Sequence, residues 1–158
     1  MARRFELHFS QRNPLNVSAN YNNIMFYFSF AKNNSMKYEK APDVEERLKR
    51  IVKTLKQDHI ELDRVICMRS YGSKSRAIAR IWGLPKIFQS ALDCRSYYVI
   101  EVIASKYDKL SDEEKDKTLI HELMHIPKGF GGGLIPHNHS TRKINRRTVE
   151  EIYKKLNS

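Results

Sequence analysis

Cysteine is nearly absent from this sequence: Cys67 and Cys94 are its only two. They form no C-x-x-C pair and join no cluster with histidine, so no zinc ribbon or disulfide scaffold can be built from them. A reduced, cytoplasmic protein is the simplest expectation. No stretch approaches the ~20 apolar residues of a membrane-spanning helix, so no membrane role is expected. Ile24 to Phe30 (IMFYFSF) is apolar but short. It comes after a long polar lead, which makes it a poor secretory signal. Without secretion, the sequons at Asn16, Asn33 and Asn138 carry no glycan message. Acidic side chains are also in deficit, 18 against 29 basic ones, for a formal charge of +11. That balance favours contact with nucleic acid or another anionic surface through basic faces, and it says nothing about fold.

With 158 residues, 41% of them apolar, the chain has enough material for one compact domain and too little for two ordinary ones. Residues 1–35 differ from the rest of the chain: they are rich in asparagine and lack a helical period. Met36 reads like a fresh start, so 1–35 is expected to be an extension and 36–158 a single domain. The alternative is that Ile24–Phe30 adds a strand to the sheet.

Pro42 and Asp43 give a helix start signal, and Val44, Leu48, Ile51, Val52 and Leu55 recur on one face of a helix over 43–57. Asp63–Arg69 and Arg76–Trp82 read as strands around a Ser-Tyr-Gly-Ser turn. Paired as a hairpin, they would present Arg69, Lys74, Arg76 and Arg80 as a nucleic-acid contact, against the plainer reading of an exposed polar tip. Ile87–Leu92 is ambiguous between helix and strand. Ser96–Ala104 (SYYVIEVIA) is the strongest strand, with Glu101 expected at an exposed edge.

Ser111-x-x-Glu114 is a capping-box pattern, and the helix it opens should run to Ile126 before Pro127 and Gly129 stop it. That helix contains His121-Glu122-Leu123-Met124-His125, an H-E-x-x-H sequence. Histidines four apart project from one helical face, one turn from each other, and can share a metal ion. Glu122 projects about 100° further round the helix. It can act on a metal-activated water as general base while two neutral nitrogens hold the ion. Leu119, Ile120, Leu123 and Met124 surround the histidines with apolar side chains, where unligated imidazoles would need other partners.

Catalytic zinc takes three protein ligands and keeps one position for water. A metzincin would place glycine at 128 and histidine at 131; this chain has Lys128 and Gly131, which excludes that class. The third ligand is then expected beyond a flexible loop, 128–133. His137 is favoured because Pro136 stiffens the approach, with His139 as the alternative and Glu150 or Glu151 behind them. Tyr71, Tyr97 and Tyr98 are candidates to stabilise an oxyanion. Ser140 or Thr141 can cap a last helix reaching about Leu156.

From Arg69 onward, RSYGSKSRAIARIWGLPKIFQ, YYVIEVIASKYDKL and TLIHELMHIPKGFGGGLIPH resemble a family of phage and archaeal metallopeptidases. With the helix from Met36, the resemblance covers about residues 36–156. It implies a zincin-like fold and a metal site. The layout is also similar to that of SprT-like proteases, which act on protein bound to DNA and complete their site with a later histidine.

The expectation is therefore an α+β, zincin-like minimal metallopeptidase fold with a small, mostly antiparallel sheet, the H-E-x-x-H helix and a C-terminal helix. His121, His125 and His137 would bind Zn2+, and Glu122 would be the base for hydrolysis of a peptide or protein substrate. The substrate would lie along a sheet edge supplied by Tyr97–Ala104 or Arg76–Trp82. Two other readings compete. One is a basic nucleic-acid-binding protein whose zinc is structural, with His139 as fourth ligand and Glu122 a spectator. The other is an SprT-like protease acting on DNA-bound protein.

Overall fold

The structure is a computed structural model describing residues 35–140 and 143–158. The expected extension over 1–35, apart from Ser35, and the possible strand at Ile24–Phe30 lie outside the described residues. Residues from Asn34 to Ser158 form one compact unit.

Among the described residues four strands make the sheet: β1 (Lys37–Lys40), β2 (Val65–Tyr71), β3 (Ala79–Gly83) and β4 (Tyr98–Ile103). Their spatial order is β1-β2-β4-β3. β1 pairs antiparallel with β2, β2 parallel with β4, and β3 antiparallel with β4. The sheet is thus mixed rather than mostly antiparallel, and the expected β2–β3 hairpin does not form because β4 lies between its arms. The composition of β4 explains this. Tyr98, Ile100, Glu101, Val102 and Ile103 are all buried. A strand so apolar on both faces gains most from the sheet interior, where neighbours cover it and take up its backbone bonds on both sides.

Pro42 occupies the first turn of α1 (Pro42–Thr54), and its predicted stripe of Val44, Leu48, Ile51 and Val52 is buried. The ambiguous segment is a short helix, α2 (Lys86–Ala91), and β4 runs into one turn of helix, α3 (Ala104–Tyr107). The long acidic-led helix is α4 (Asp112–Met124), and the chain closes with α5 (Arg146–Leu156). Leu48 and Ile51 of α1, Leu119 and Leu123 of α4, and Cys67, Ile100 and Val102 of the sheet belong to one core.

Asp116 joins α1 to α4. It is buried, and its carboxylate accepts hydrogen bonds from Arg47 Nη1 at 2.8 Å and from Arg50 Nη2 at 2.6 Å. The polar face of α1 is therefore not all solvated, as a helical wheel alone would suggest. The start of α5 also differs from expectation. Its cap is Asn145, whose side chain accepts from Thr148 N while Thr148 Oγ1 accepts from Asn145 N. The preceding residues are used otherwise: Asn138 bridges to Lys143, and Ile144 N donates to the His137 carbonyl at 3.0 Å.

Candidate metal centre

Ser111 caps α4 by accepting from Glu114 N at 3.2 Å, and the first turn of the helix is acidic. That start fixes the phase of the helix, which carries His121 and His125 toward its end. His121 Nε2 stands 3.4 Å from His125 Nε2 and 3.1 Å from His137 Nε2. One ring nitrogen from each of the three histidines lies within 4.8 Å of the other two, and among the described residues these three form the candidate metal cluster.

Two features prepare the nitrogens as ligands. His125 Nδ1 is 2.6 Å from the Ile135 carbonyl. Only a protonated Nδ1 can donate there, so Nε2 keeps its lone pair, the second-sphere arrangement common around metal-bound imidazoles. Burial, reinforced by the electrostatic influence of the neighbouring His125 and His137 rings, lowers the His121 pKa to about 4, so its ring is neutral at physiological pH. Nitrogens at zinc-ligand distance in a tetrahedral shell are ~3.3 Å apart. The observed 3.1 and 3.4 Å bracket that spacing. The donor set therefore fits a divalent transition metal.

Glu122 is buried beside the cluster, and burial raises its carboxyl pKa to about 7, partly offset by the Ile81 backbone N–H. Glu122, the three histidines, Ala79 and Ile81 line a cavity of about 390 Å³. β3 is thus the strand that faces the cluster.

His137 reaches the site on a loop that is bonded along its length, where a flexible one was expected. Ser96 Oγ donates to the Phe130 carbonyl, and Gln89 Nε2 donates to the Gly131 carbonyl at 3.0 Å. The Tyr98 hydroxyl accepts from Gly132 N and donates to the Gly133 carbonyl, both at 2.9 Å. Ile135 N donates to the His125 carbonyl at 2.8 Å, so His125 and Ile135 hold each other from both sides. Gly132 has φ +87°, and a Cβ there would collide with the Leu84 carbonyl. Gln89 and Ser96 carry no local sequence signal for this role. Tyr98 was a candidate oxyanion donor; its hydroxyl instead holds the loop.

The other predicted residues are scattered. His139 is half-buried and outside the three-nitrogen group. Glu150 pairs with Lys117 at 2.6 Å and Glu151 with Arg147 at 3.1 Å. Tyr71 lies exposed at the end of β2, and Tyr97 is half-buried. Arg69 binds Asp43 at 2.8 Å and Asp108 at 3.1 Å. Arg80 contacts Ser73 Oγ at 3.3 Å. Arg69 and Arg80 oppose neighbouring residues of β4, Val102 and Glu101, and so lie on opposite faces of the sheet. Lys74 and Arg76 are exposed on the β2–β3 connection. The four therefore form no common hairpin tip. Glu101 is 3% exposed in the sheet interior rather than at an open edge, and its carboxylate accepts from Trp82 Nε1 at 3.1 Å.

No curated protein and no solved structure matches the chain. A family model described as "Putative phage metallopeptidase" matches residues 36–157, which takes in the sheet, the motif helix, the bonded loop and α5. Such a family implies a hydrolase that acts on peptide bonds and uses a metal ion, in keeping with the three-histidine cluster. The chain belongs to this phage metallopeptidase family.

Proposed function

We propose that the chain is a zinc-dependent metallopeptidase of zincin-like fold, with His121, His125 and His137 as ligands and Glu122 as general base. Residues 36–158 are its enzymatic domain, with 1–35 an extension. The observation that carries this reading is the convergence of three imidazole nitrogens, two of the spacings being 3.1 and 3.4 Å, beside a buried carboxyl. Zinc suits three neutral imidazoles with a coordination position left open. A structural zinc would need a fourth protein ligand, and among the described residues the cluster has three.

When bound, the ion would supply a Lewis acid that polarises the peptide carbonyl and acidifies water at neutral pH. His125 keeps its lone pair on the cluster because the Ile135 carbonyl holds the other ring nitrogen. Glu122 takes the proton of the attacking water. It then delivers that proton to the departing amine nitrogen as the C–N bond breaks. A pKa near neutrality, caused by burial, lets one carboxyl do both.

The edge of β3 offers a place for the substrate backbone. Ile103 N donates to the Ile78 carbonyl and Leu84 N to the Tyr97 carbonyl, both at 2.9 Å. By alternation, Ala79 and Ile81 turn their backbone groups away from β4, toward the edge that no described strand covers, where the Ile81 N–H already meets the Glu122 carboxyl. An extended peptide pairs there by strand addition. Of the two edge segments expected from sequence, Tyr97–Ala104 is interior, which leaves the one containing β3.

Metal analysis with Glu122→Gln tests the reading. Wild type and variant should each hold one zinc, with peptide hydrolysis at least ~100-fold slower in the variant. His137→Ala should lose the metal. Undiminished cleavage by Glu122→Gln, or a zinc-loaded wild type that cleaves no peptide, would refute it.

A further inference from the structure

A second, larger cavity of about 610 Å³ adjoins the first and shares His121 and Glu122 with it. It extends back along α4 through Thr118 to Glu114, and seven residues of helix correspond to ~10 Å. The segment leading into β3 forms the facing wall, and the first turns of α5 form a third. Buried Ala79 and Val149 give it an apolar floor.

Its charges are unequally committed. Lys117 lies between Glu113 at 2.5 Å and Glu150 at 2.6 Å, a trio with one negative charge in excess, and the Arg146 charge acts on Glu150 in turn. Glu122 belongs to the metal centre. Arg76 and Arg146 approach from different walls, are exposed, and make no ion pair with any carboxylate among the described residues. Exposed Glu114 is a further opposing charge, and it sits at the end of the cavity away from the cluster.

We propose that this cavity is the subsite for a carboxylate of the peptide substrate, received by Arg76 and Arg146; the inference rests on the peptidase reading. Guanidinium groups match a carboxylate in charge and in planar, paired hydrogen-bond geometry. The apolar floor takes the methylenes or backbone that carry it. A walled cavity of this size admits a side chain or chain end, and the wide phosphate ladder of a duplex does not fit within it. The carboxylate has two sources, an Asp or Glu side chain near the scissile bond or the C-terminus of the peptide.

Fluorescent peptides titrated onto the zinc-loaded full chain carrying Glu122→Gln would test this by anisotropy. One arm compares Glu with Gln at successive positions of C-terminally amidated peptides; the other compares free-acid with amidated peptides lacking acidic residues. In one arm the carboxylate should tighten binding at least tenfold. The gain should vanish in Arg76→Ala/Arg146→Ala and reverse toward Lys-containing peptides in Arg76→Glu/Arg146→Glu. Equal binding of charged and neutral peptides would overturn the proposal, as would a gain that survives loss of both arginines. So would duplex DNA binding through the arginine pair while the peptides bind without preference. Cleavage of the neutral peptides by the wild type reports separately on the peptidase reading. Carboxylate-dependent binding without cleavage would sink that reading alone; cleavage without carboxylate preference would sink this inference alone.

Discussion

Gly132→Ala is the sharpest probe of the loop that delivers His137. Gly132 has φ +87°, where an L side chain costs about 1–2 kcal/mol. Its added Cβ would also stand against the Leu84 carbonyl oxygen and Gln89 Nε2, well inside the 3.0 Å below which real Cβ contacts essentially never fall. Neither neighbour can yield freely. The Leu84 carbonyl accepts from Gln89 at 2.7 Å, and Gly83 approaches Gly132 so closely that a Cβ there would collide with the Gly132 carbonyl. Overpacking of this kind costs about 1–3 kcal/mol. The sum is about 3 kcal/mol, or a fall of about 10 °C in Tm for a domain of this size. Gly133→Ala is the control, since a Cβ there meets nothing within 4 Å and the backbone φ is not positive. It should be neutral or stabilise by up to about 1 kcal/mol through the unfolded state. Thermal unfolding of both metal-free variants by circular dichroism measures the difference, and competition with a chelating dye measures zinc affinity. Gly132→Ala should bind zinc at least ~10-fold more weakly, because the loop orients the proposed ligand His137. If the two variants unfold within about 0.5 °C of each other, a small fraction of the shift expected, and bind zinc equally, the loop is not pinned at Gly132 and does not set His137.

Tyr98→Phe removes both loop bonds and strands the buried Gly132 N–H, so it should cost ~2 kcal/mol in denaturant unfolding and weaken zinc binding, with packing preserved. Asp116→Asn should cost ~2 kcal/mol in the same assay while leaving zinc affinity unchanged. The loss stays below that of a fully buried pair because Arg47 and Arg50 keep 23% and 48% side-chain exposure and can rehydrate. A thiol reagent at about pH 8 should label Cys94 in the folded protein and spare Cys67, which is 1% exposed and whose pKa burial pushes up to about 12. Labelling of Cys67 should track global unfolding, and rapid reaction of both thiols would contradict the packing of β2.

Local sequence signals led to the right local structures. The stripe of α1, the cap of α4 and the four-residue spacing of His121 and His125 all depend on neighbours within a turn or two, and all are present. What the sequence hid depends on distant partners. The apolar run of β4 signalled a strand, but nothing in it set that strand in the sheet interior or named β2 and β3 as its neighbours, so the shorter connection suggested a hairpin. The glycines after Pro127 read as flexibility. The groups that hold them, Tyr98, Ser96 and Gln89, lie 34 to 42 residues away in sequence. Asn145 and Thr148 also form a cap pattern legible in sequence, and the expected Ser140 or Thr141 stand nearer the end of the loop.

The same distant bonds bear on why three imidazoles can face one another at all. His121 and His137 can share a proton across 3.1 Å, but burial and neighbouring charge lower the His121 pKa to about 4, so a cluster carrying several protons is disfavoured. Such a group does little to hold itself together, and the frame must bring the rings close. α4 fixes two of them. The exchange between His125 and Ile135 carries the loop to the third, and Tyr98, Ser96 and Gln89 hold the loop against β3 and β4. A metal ion reverses the sign of the interaction inside that frame, because one cation accepts all three lone pairs at once. The cost of assembling neutral imidazoles is then met by folding energy remote from the cluster, and binding need not build the site. This is why Gly132 and Tyr98, neither of them a ligand, should tune metal affinity while Asp116, on the far link between α1 and α4, should not.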